Sequence, residues 1–304
     1  MDRDHVIKTI SVHRPDWHVG AIEYLGQGDF CTAYLVDRQW VCRFARHHDA
    51  AASLGREACL LPRIAQRFDL RVPDLQHIEA DPPFTAHPLL PGPALTRDRY
   101  GALPEAARER CAVQLAIFVH QLHDTDINIP RSCGIPEIDY RRLFGALTPR
   151  ADRQLYHRID SAGRRYVETT VGAFVDAEPA RSAPVLLHGD LSPDHVLFDP
   201  QANTLTGIID FGDASLGDPA WDLVVVYEDY GLDFLGRFMG HYTSSDRAPL
   251  LERMFRLWVL AAIEWAVLSA EEDSNDLSPA IDQLRRLRVD ESQLLDEVLE
   301  TCAR

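Results

Sequence analysis

The chain almost lacks lysine: Lys8 is the only one among 304 residues, and arginine supplies the other permanent positive charges. Acidic residues outnumber basic ones, and the formal net charge is −16 at pH 7. Nucleic acids and anionic membrane surfaces both require a basic face on the proteins that bind them, so neither is an expected partner. A small cationic molecule, by contrast, suits a chain of this charge.

The cysteines are scattered, and no two of them form a CxxC pair. Most lie in apolar surroundings, which is typical of buried free thiols in a reducing compartment. The sequence therefore predicts neither a disulfide nor a cysteine metal site. The six residues concerned are Cys31, Cys42, Cys59, Cys111, Cys133 and Cys302.

Long apolar runs are also missing. The N-terminus has no basic start followed by an apolar segment, so it does not resemble a secretory signal. The longest apolar stretch, residues 254–270, contains Arg256 and Glu264 and is too short to span a bilayer. We therefore expect a cytoplasmic protein, with a monomer as the default.

The length of the chain suits two lobes, each large enough to bury a core. Periodic apolar patterns predict helices in several places, mostly in the second half of the chain. They are predicted within residues 5–20, where a turn follows the opening helix, from Arg56 onward, over 105–123, twice within 131–183, from Asp218 onward, over 247–270 and over 279–301.

The most informative stretch, residues 188–218, begins just after a short apolar run that is typical of a buried strand. This run ends at His188-Gly189-Asp190, so we expect the strand to deliver the carboxylate of Asp190 into a loop. A lone acidic hairpin with solvated carboxylates would be the ordinary alternative. The motifs that follow argue against that alternative.

Two further short strands, residues 196–198 and 205–209, are joined by a segment of turn composition, and the second ends at Asp210. Asp190 lies five residues before His195 and twenty before Asp210. A hairpin of this length can bring the three side chains into one small volume. One acid could then accept a proton while the other two groups hold a metal.

This spacing resembles the catalytic loop and the metal loop of protein kinases, and Asp210-Phe211-Gly212 is a D-F-G motif. The HGD sequence, with Gly189 where protein kinases have arginine, resembles the aminoglycoside phosphotransferase family, and within it the 2''-phosphotransferases. The resemblance is dense over about residues 184–232. It rests further on Ser192, Asp194, His195, residues 207–214, Asp218, Pro219, Glu228 and Asp229.

The resemblance implies an α+β, bilobal, protein-kinase-like fold. An N-terminal antiparallel β-sheet lobe, residues 1–90, would bind the nucleotide. A mostly helical C-terminal lobe, residues 91–304, would carry the catalytic loop, the metal loop and the acceptor site. The two lobes would meet at a hinge at about residues 87–93, which is rich in proline and glycine.

A glycine loop between two predicted strands carries Gly26 and Gly28. A backbone bent through two glycines can approach phosphates closely and offer them its N–H groups. The third predicted strand, residues 40–44, is where kinases keep a lysine that grips the α and β phosphates. Lys8 lies upstream of the loop, so Arg43 takes that position here, with Arg46 in reserve.

Three further nucleotide-site residues follow from the resemblance. Glu57, at the start of the helical pattern, is expected to form an ion pair with Arg43. The nucleotide base is expected to lie against the hinge backbone at His87 and Leu89. Because such bonds use the backbone, the sequence does not separate ATP from GTP as the donor.

The resemblance also assigns the catalytic roles. Asp190 would accept the proton of the substrate hydroxyl, and Asp210 would bind the metal ions. His195 would complete the metal shell where most relatives have asparagine. The expected cofactor is Mg²⁺, and Mn²⁺ is an alternative because imidazole is a softer ligand than Mg²⁺ usually takes.

Acidic and aromatic side chains beyond the D-F-G motif would suit a sugar that bears ammonium groups. Asp213 or Asp218 would contact the acceptor or stabilise the rim of the site, and these two roles stay open. The candidate acceptor-binding residues are Asp213, Asp218, Glu228, Asp229, Trp265 and Glu271, the last within an acidic run that ends at Asp273.

Taken together, the sequence predicts a phosphotransferase that moves the γ-phosphoryl group of ATP or GTP to a hydroxyl, expected to be the 2'' hydroxyl, of an aminoglycoside antibiotic, and so confers resistance. A related kinase of another small alcohol, such as a macrolide or a metabolite, is the second hypothesis. A third, prompted by the missing lysine and by His195, is a relative that binds nucleotide with little or no catalysis.

Overall fold

A computed structural model describes residues 3–177, 182–244, 246–272 and 277–302. The N-terminal part forms a five-stranded antiparallel sheet in the order β1-β2-β3-β5-β4. Its strands are β1 (Ile22–Gln27), β2 (Cys31–Val36), β3 (Trp40–Ala45), β4 (Gln76–Ile78) and β5 (Phe84–Pro88). Four short strands come later: β6 (Val185–Leu187), β7 (Val196–Asp199), β8 (Thr204–Ile208) and β9 (Ser215–Gly217).

Helices account for most of the remaining described residues. In the first half of the chain they are α1 (Arg3–His13), α2 (His48–Ile64), α3 (Arg97–Gly101), α4 (Glu105–His123) and α5 (Asn128–Ser132). They continue with α6 (Tyr140–Gly145), α7 (Leu147–Gln154), α8 (Ser161–Asp176), α9 (Ala220–Tyr230), α10 (Leu232–His241), α11 (Arg247–Glu271) and α12 (Ser278–Cys302). An antiparallel sheet followed by a mostly helical region confirms the predicted α+β class.

One face of the N-terminal sheet is a hydrophobic core. Alternate residues of the strands point to this face, which is why Tyr34, Cys42 and Phe44 are buried while their neighbours are less so. Val6 and Ile10, spaced four residues apart on α1, are fully buried in the same cluster. The opening helix therefore covers the sheet, and a turn at residues 15–16 follows it, as expected.

Residue contacts divide the chain into two compact units. The first comprises residues 1–136 and 186–215, and the second comprises residues 137–185 and 216–304. The N-terminal sheet and the 186–215 segment thus belong to one unit. The proposed lobe boundary at residues 87–93 stays a prediction.

Helix α2 begins earlier than its sequence pattern indicates. The prediction placed the helical pattern from Arg56, but the helix starts at His48. The ring of His47 accepts a hydrogen bond from the Ala50 N–H at 3.2 Å, and Asp49 places a negative charge in the first turn. The earlier start could have been predicted from His47 and the run of alanines after it, since alanine is the strongest helix former.

The prediction of free thiols is wrong for two cysteines. Cys59 of α2 and Cys133, just after α5, form a disulfide with Cα atoms 5.6 Å apart. No spacing rule indicates this pair, because the two cysteines lie 74 residues apart and meet only through the fold. The argument for a reducing compartment loses its support, and the cytoplasmic location stays a prediction. Among the described residues, no helix is long and apolar enough to cross a membrane.

We expect the disulfide to stabilise the first unit. Because it closes a long loop, replacing both Cys59 and Cys133 by serine should lower the free energy of unfolding by about 2–4 kcal/mol under oxidising conditions. Urea titration with and without dithiothreitol measures this, and only the wild type should respond to the reductant. Four reactive thiols should appear when the wild type is denatured without reductant, in keeping with its four free cysteines. Six would contradict the pairing.

Candidate active site

A short hairpin in the first unit brings the residues of the two sequence motifs together. Strands β7 and β8 pair antiparallel, with Val196 opposite Ile208, so their open ends lie side by side. His195 immediately precedes the first strand, and Asp210 follows the second by two residues. The backbone N–H of Ile209 also donates to the His195 carbonyl at 2.9 Å, which extends the pairing to the site itself.

The imidazole of His195 lies between the two aspartates. Its Nδ1 is 3.3 Å from Oδ2 of Asp190, and its Nε2 is 3.6 Å from Oδ2 of Asp210. All three side chains are partly accessible, with 19% of the His195 side chain and about 40% of each carboxylate exposed. The structure therefore brings together the three side chains that the spacing predicted to converge.

Hydrogen bonds fix the tautomer of His195. Its Nδ1 lies 2.9 Å from the backbone carbonyl oxygen of Asp190, which can only accept, so Nδ1 carries a proton. The hydroxyl of Ser192 is also 3.1 Å from this nitrogen. In the neutral ring, Nε2 then presents a lone pair towards Asp210. This is the form in which histidine binds metals.

His188 is fully buried and holds the two loops in register. Its Nδ1 accepts from the Asp190 N–H at 3.3 Å, and its Nε2 lies 3.2 Å from the Ile209 carbonyl, to which it donates. Its ring packs on that of Phe211 with centroids 4.6 Å apart. Through these contacts His188 braces the two loops, and its buried ring nitrogens both have partners.

Gly189 permits a contact between the two loops that sequence reasoning missed. Its φ of +85° is a conformation that side chains disfavour, and a Cβ atom there would lie 2.3 Å from the backbone oxygen of Asp213. Only glycine allows this approach. The glycine of the HGD motif was the available signal, but its physical reason appears only in the fold.

Replacing Gly189 by alanine should therefore be costly. The left-handed backbone and the clash with Asp213 together should lower the free energy of unfolding by about 1–3 kcal/mol. Gly172→Ala, in the middle of α8 where nothing lies within 4 Å, is the matched control and should raise stability by about 0.5–1 kcal/mol. Equal stabilities of the two variants in urea titration would refute the close contact.

Arg43 of β3 links the D-F-G motif to α2. Its Nη1 donates to both carboxylate oxygens of Glu57 at 2.9 Å, and its Nη2 donates to Oδ1 of Asp210 at 2.7 Å. The ion pair expected between Arg43 and Glu57 is thus present. The bond to Asp210 was not expected, because in the sequence pattern this basic residue is assigned to phosphates.

The charges of this network shift one another's pKa values. Burial works to raise the pKa of Asp210, but the positive charge of Arg43, the charge that His195 and His188 carry when protonated, and the hydrogen bond from the Gly212 N–H together outweigh it, and the pKa is lowered. Burial raises the pKa of Asp213, and the negative charges of Asp190 and Asp210 raise it further. Asp213 therefore lies in the same field of negative charge as the two motif aspartates.

Helix α2 also forms hydrogen bonds with the D-F-G backbone. Oε1 of Glu57, whose side chain is fully buried, accepts from the Phe211 N–H at 3.2 Å, and the hydroxyl of Ser53 donates to the Gly212 carbonyl at 2.7 Å. Ser53 was missed by sequence reasoning. Its signal was the four-residue spacing from Glu57, which places both side chains on one face of the helix.

The glycine loop connects β1 and β2. Gly26 pairs with Ala33 after a bulge in β1, and neither Gly26 nor Gly28 has a neighbour where a Cβ would be. The guanidinium of Arg46 donates to the Gly28 carbonyl at 2.5 Å. Arg46 thus braces the loop. The Gly28 N–H already donates to the Cys31 carbonyl at 3.0 Å, and contact of the loop with phosphates stays a prediction.

The hinge residues are placed at the end of β5. His87 is buried, and its Nδ1 lies 2.9 Å from the Pro88 carbonyl, to which it donates. The backbone N–H of Leu89 donates to the Gln39 carbonyl at 2.7 Å, while its side chain is 46% exposed. The N–H of Leu89 therefore already has a partner, and backbone recognition of a base here would use other groups.

The donor set near His195 fits a divalent cation held jointly with a nucleotide. Nε2 of His195 and Oδ2 of Asp210 are two lone-pair donors that face each other, and a cation between them would relieve their repulsion. Within the described residues, no group of three or more His, Cys, Asp or Glu side chains is arranged to hold a metal by itself. Two protein donors completed by phosphates is the usual arrangement for Mg²⁺.

The second unit contains the other predicted acceptor residues, and two of these already bind arginine. Asp218 accepts from Arg253 at 2.7 Å, and the carboxylate of Glu271 accepts two hydrogen bonds from Arg150, at 2.7 and 3.0 Å. The hydrogen bonds from Arg150 lower the pKa of Glu271. Asp273 lies outside the described residues.

Asp218 also lines a cavity of about 680 Å³ within the second unit. Its wall carries Arg141, Arg253 and Arg256 alongside three acidic residues. This volume is in the range of small-molecule sites. The balance of charges differs, however, from the converging carboxylates expected for a polycationic acceptor.

The remaining candidates lie on α9 and α11. Burial raises the pKa of Glu228, and the neighbouring charge of Asp229 adds to the shift. Trp265 is a large aromatic residue whose surface is 42% exposed. Its neighbour Glu264 lies 3.7 Å from Arg150, and burial raises the pKa of Glu264. A cation bound beside Glu228 or Glu264 would favour the charged form of the carboxylate, which burial disfavours.

Comparison with known proteins identifies the family. Residues 27–256 match the model of the family described as APH, phosphotransferase enzyme family. Viomycin phosphotransferase from Streptomyces vinaceus is 27% identical over 258 residues, which cover 81% of this chain and 88% of that protein.

Solved structures agree with this match. The GDP complex of wild-type aminoglycoside 2'-phosphotransferase-IIIa has a TM-score of 0.85 and 27% identity, covering 96% of this chain and all of the other. The GDP and kanamycin complex of APH(2")-IIia has a TM-score of 0.83 and 28% identity, covering 95% and 99%. A macrolide 2'-phosphotransferase from Brachybacterium faecium, at a TM-score of 0.68 and 20% identity, shares the fold. The chain therefore belongs to the APH phosphotransferase family and is a small-molecule phosphotransferase.

Proposed function

We propose that this protein transfers the γ-phosphoryl group of ATP or GTP to a hydroxyl of an aminoglycoside, at the 2'' position, and so inactivates the antibiotic. The observation that carries the proposal is the geometry around His195, which holds Asp190 and Asp210 on either side of one ring. Relatives of 27–28% identity that are described with GDP and with kanamycin support the choice of donor and acceptor.

Asp190 takes the proton of the acceptor hydroxyl while the oxygen of that hydroxyl forms a bond to the γ-phosphorus. The bond from that phosphorus to the bridging oxygen breaks, and the nucleoside diphosphate leaves. His195 holds Asp190 through its protonated Nδ1, and the backbone around Gly26 and Gly28 contacts the phosphates. A divalent cation held by His195 and Asp210 would neutralise charge on the transferring group.

The proposal divides the acceptor role unequally among the predicted residues. Asp213 lies beside Asp190, and Glu228 and Asp229 have a mutual repulsion that an ammonium group would relieve. Trp265 offers an apolar face to a sugar ring. At Asp218 and Glu271 an acceptor would have to compete with Arg253 and Arg150 for the carboxylates.

A thermal-shift panel tests the acceptor class. Aminoglycosides, viomycin, macrolides and simple alcohol metabolites are each added with the Mg²⁺ complex of a nucleotide, and hits are assayed for phosphate transfer. A ligand at 100 times its Kd adds about 2.7 kcal/mol of stability, which is a large shift. We expect a kanamycin-type aminoglycoside to stabilise the protein and to be phosphorylated. A response only to viomycin or only to a macrolide would replace the proposed acceptor.

A further inference from the structure

The guanidinium of Arg43 is committed to carboxylates. Its Nη1 serves both oxygens of Glu57 and its Nη2 serves Asp210, while only 12% of the side chain is exposed. An arginine can serve two partners at once because its donors form a rigid planar fork. A lysine at this position has a single nitrogen and could not present the same two separated donors.

The two oxygens of Asp210 consequently differ. Oδ1 accepts from Arg43 at 2.7 Å and from the Gly212 N–H at 3.3 Å. Oδ2 faces Nε2 of His195 at 3.6 Å. The backbone of Asp210 has a φ of +64°, an uncommon conformation for a residue other than glycine.

Protein kinases place two Mg²⁺ ions on the D-F-G aspartate and on the residue that corresponds to His195. That arrangement needs both carboxylate oxygens to be open to cations. Here one of them already bonds to a permanent positive charge, since arginine does not lose its proton in proteins. The guanidinium lies 2.7 Å from Oδ1 of Asp210, so it would also repel a second cation bound to that oxygen.

We propose that this site holds one divalent cation with the nucleotide, on Oδ2 of Asp210 and Nε2 of His195, and that Arg43 replaces a second cation at Oδ1. The inference builds on the proposed function, since it concerns the metal of the same site. Arg43 is then a positioning residue that orients Asp210 and supplies a fixed positive charge.

Mn²⁺ titration followed by electron paramagnetic resonance tests the stoichiometry directly. The wild type is saturated with a non-hydrolysable ATP or GTP analogue, and free Mn²⁺ is measured as the ion is added. We expect one bound Mn²⁺ per chain, and two would overturn the inference. Mn²⁺ suits the test because it binds both carboxylate and imidazole.

Variants assign the role to individual side chains. Arg43→Lys should admit a second Mn²⁺, because one ammonium cannot hold Glu57 and cover Oδ1 as well. An Arg43→Lys protein that folds and still binds only one Mn²⁺ would overturn the role given to Arg43. His195→Ala should weaken Mn²⁺ binding by about tenfold or more, and unchanged affinity would overturn its place in the shell. Arg67→Lys, whose side chain contacts Asp124 in the same unit, should match the wild type.

The measurement is independent of the acceptor. One Mn²⁺ per chain without aminoglycoside phosphorylation would uphold this inference and reject the proposed acceptor. Phosphorylation with two Mn²⁺ per chain would do the reverse. Bound nucleotide analogue with no Mn²⁺ would overturn the metal site itself while leaving nucleotide binding intact.

Discussion

Asp190→Asn should lower the rate of phosphoryl transfer by a factor of about 10² to 10⁴. Asparagine keeps the shape of the side chain but cannot take a proton from the acceptor hydroxyl. The carboxylate lies 3.3 Å from the protonated nitrogen of His195 and is 38% exposed, so it is both held and accessible to a substrate. Steady-state transfer from γ-labelled nucleotide gives the rate, and calorimetry gives the nucleotide affinity, which should not change.

Asp194→Asn is the matched control for this variant. Asp194 lies on the same loop and is exposed to solvent, so its loss should leave the rate close to that of the wild type. Asp190→Ala should behave like Asp190→Asn. If Asp190→Asn retained more than a tenth of the wild-type rate, Asp190 would not be the proton acceptor, and Asp213 would become the next group to examine.

The convergence of Asp190, His195 and Asp210 could be predicted because a short hairpin leaves few ways to place residues at such spacings. The α+β class and the position of Arg43 beside Glu57 followed from the family resemblance that these motifs carry, and the family is confirmed by the match over residues 27–256. Motif spacing works here because each step involves neighbouring segments of chain.

Features that depend on segments distant in sequence were out of reach. The Cys59–Cys133 disulfide joins residues from two separate helical regions, and no pattern relates them. The contact of Gly189 with Asp213 depends on how the two loops pack. The acceptor candidates are a third case. The sequence shows their carboxylates but not which arginine pairs with each of them, as Arg150 does with Glu271.

Arg43 bonds to both Glu57 and Asp210, and these bonds should matter for folding as well as for metal binding. Arg43→Met removes the partner of a carboxylate whose side chain is fully buried. Leaving one charge of a buried pair uncompensated typically costs about 3–5 kcal/mol, far more than the loss of a surface pair. We therefore expect this single change to lower the free energy of unfolding by that amount, as measured by urea titration.

Two further variants separate the buried charge from simple loss of packing. Arg43→Met combined with Glu57→Leu should recover most of the stability, because a well-packed apolar pair avoids the desolvation of two charges. Arg237→Met removes a more exposed pair with Asp233 and should cost about 0.3–0.5 kcal/mol. If the double variant were no more stable than Arg43→Met, the cost would come from lost packing. In that case the hydrogen bond that Glu57 accepts from the Phe211 N–H, and not the charge of Glu57, would be what α2 contributes to the D-F-G segment.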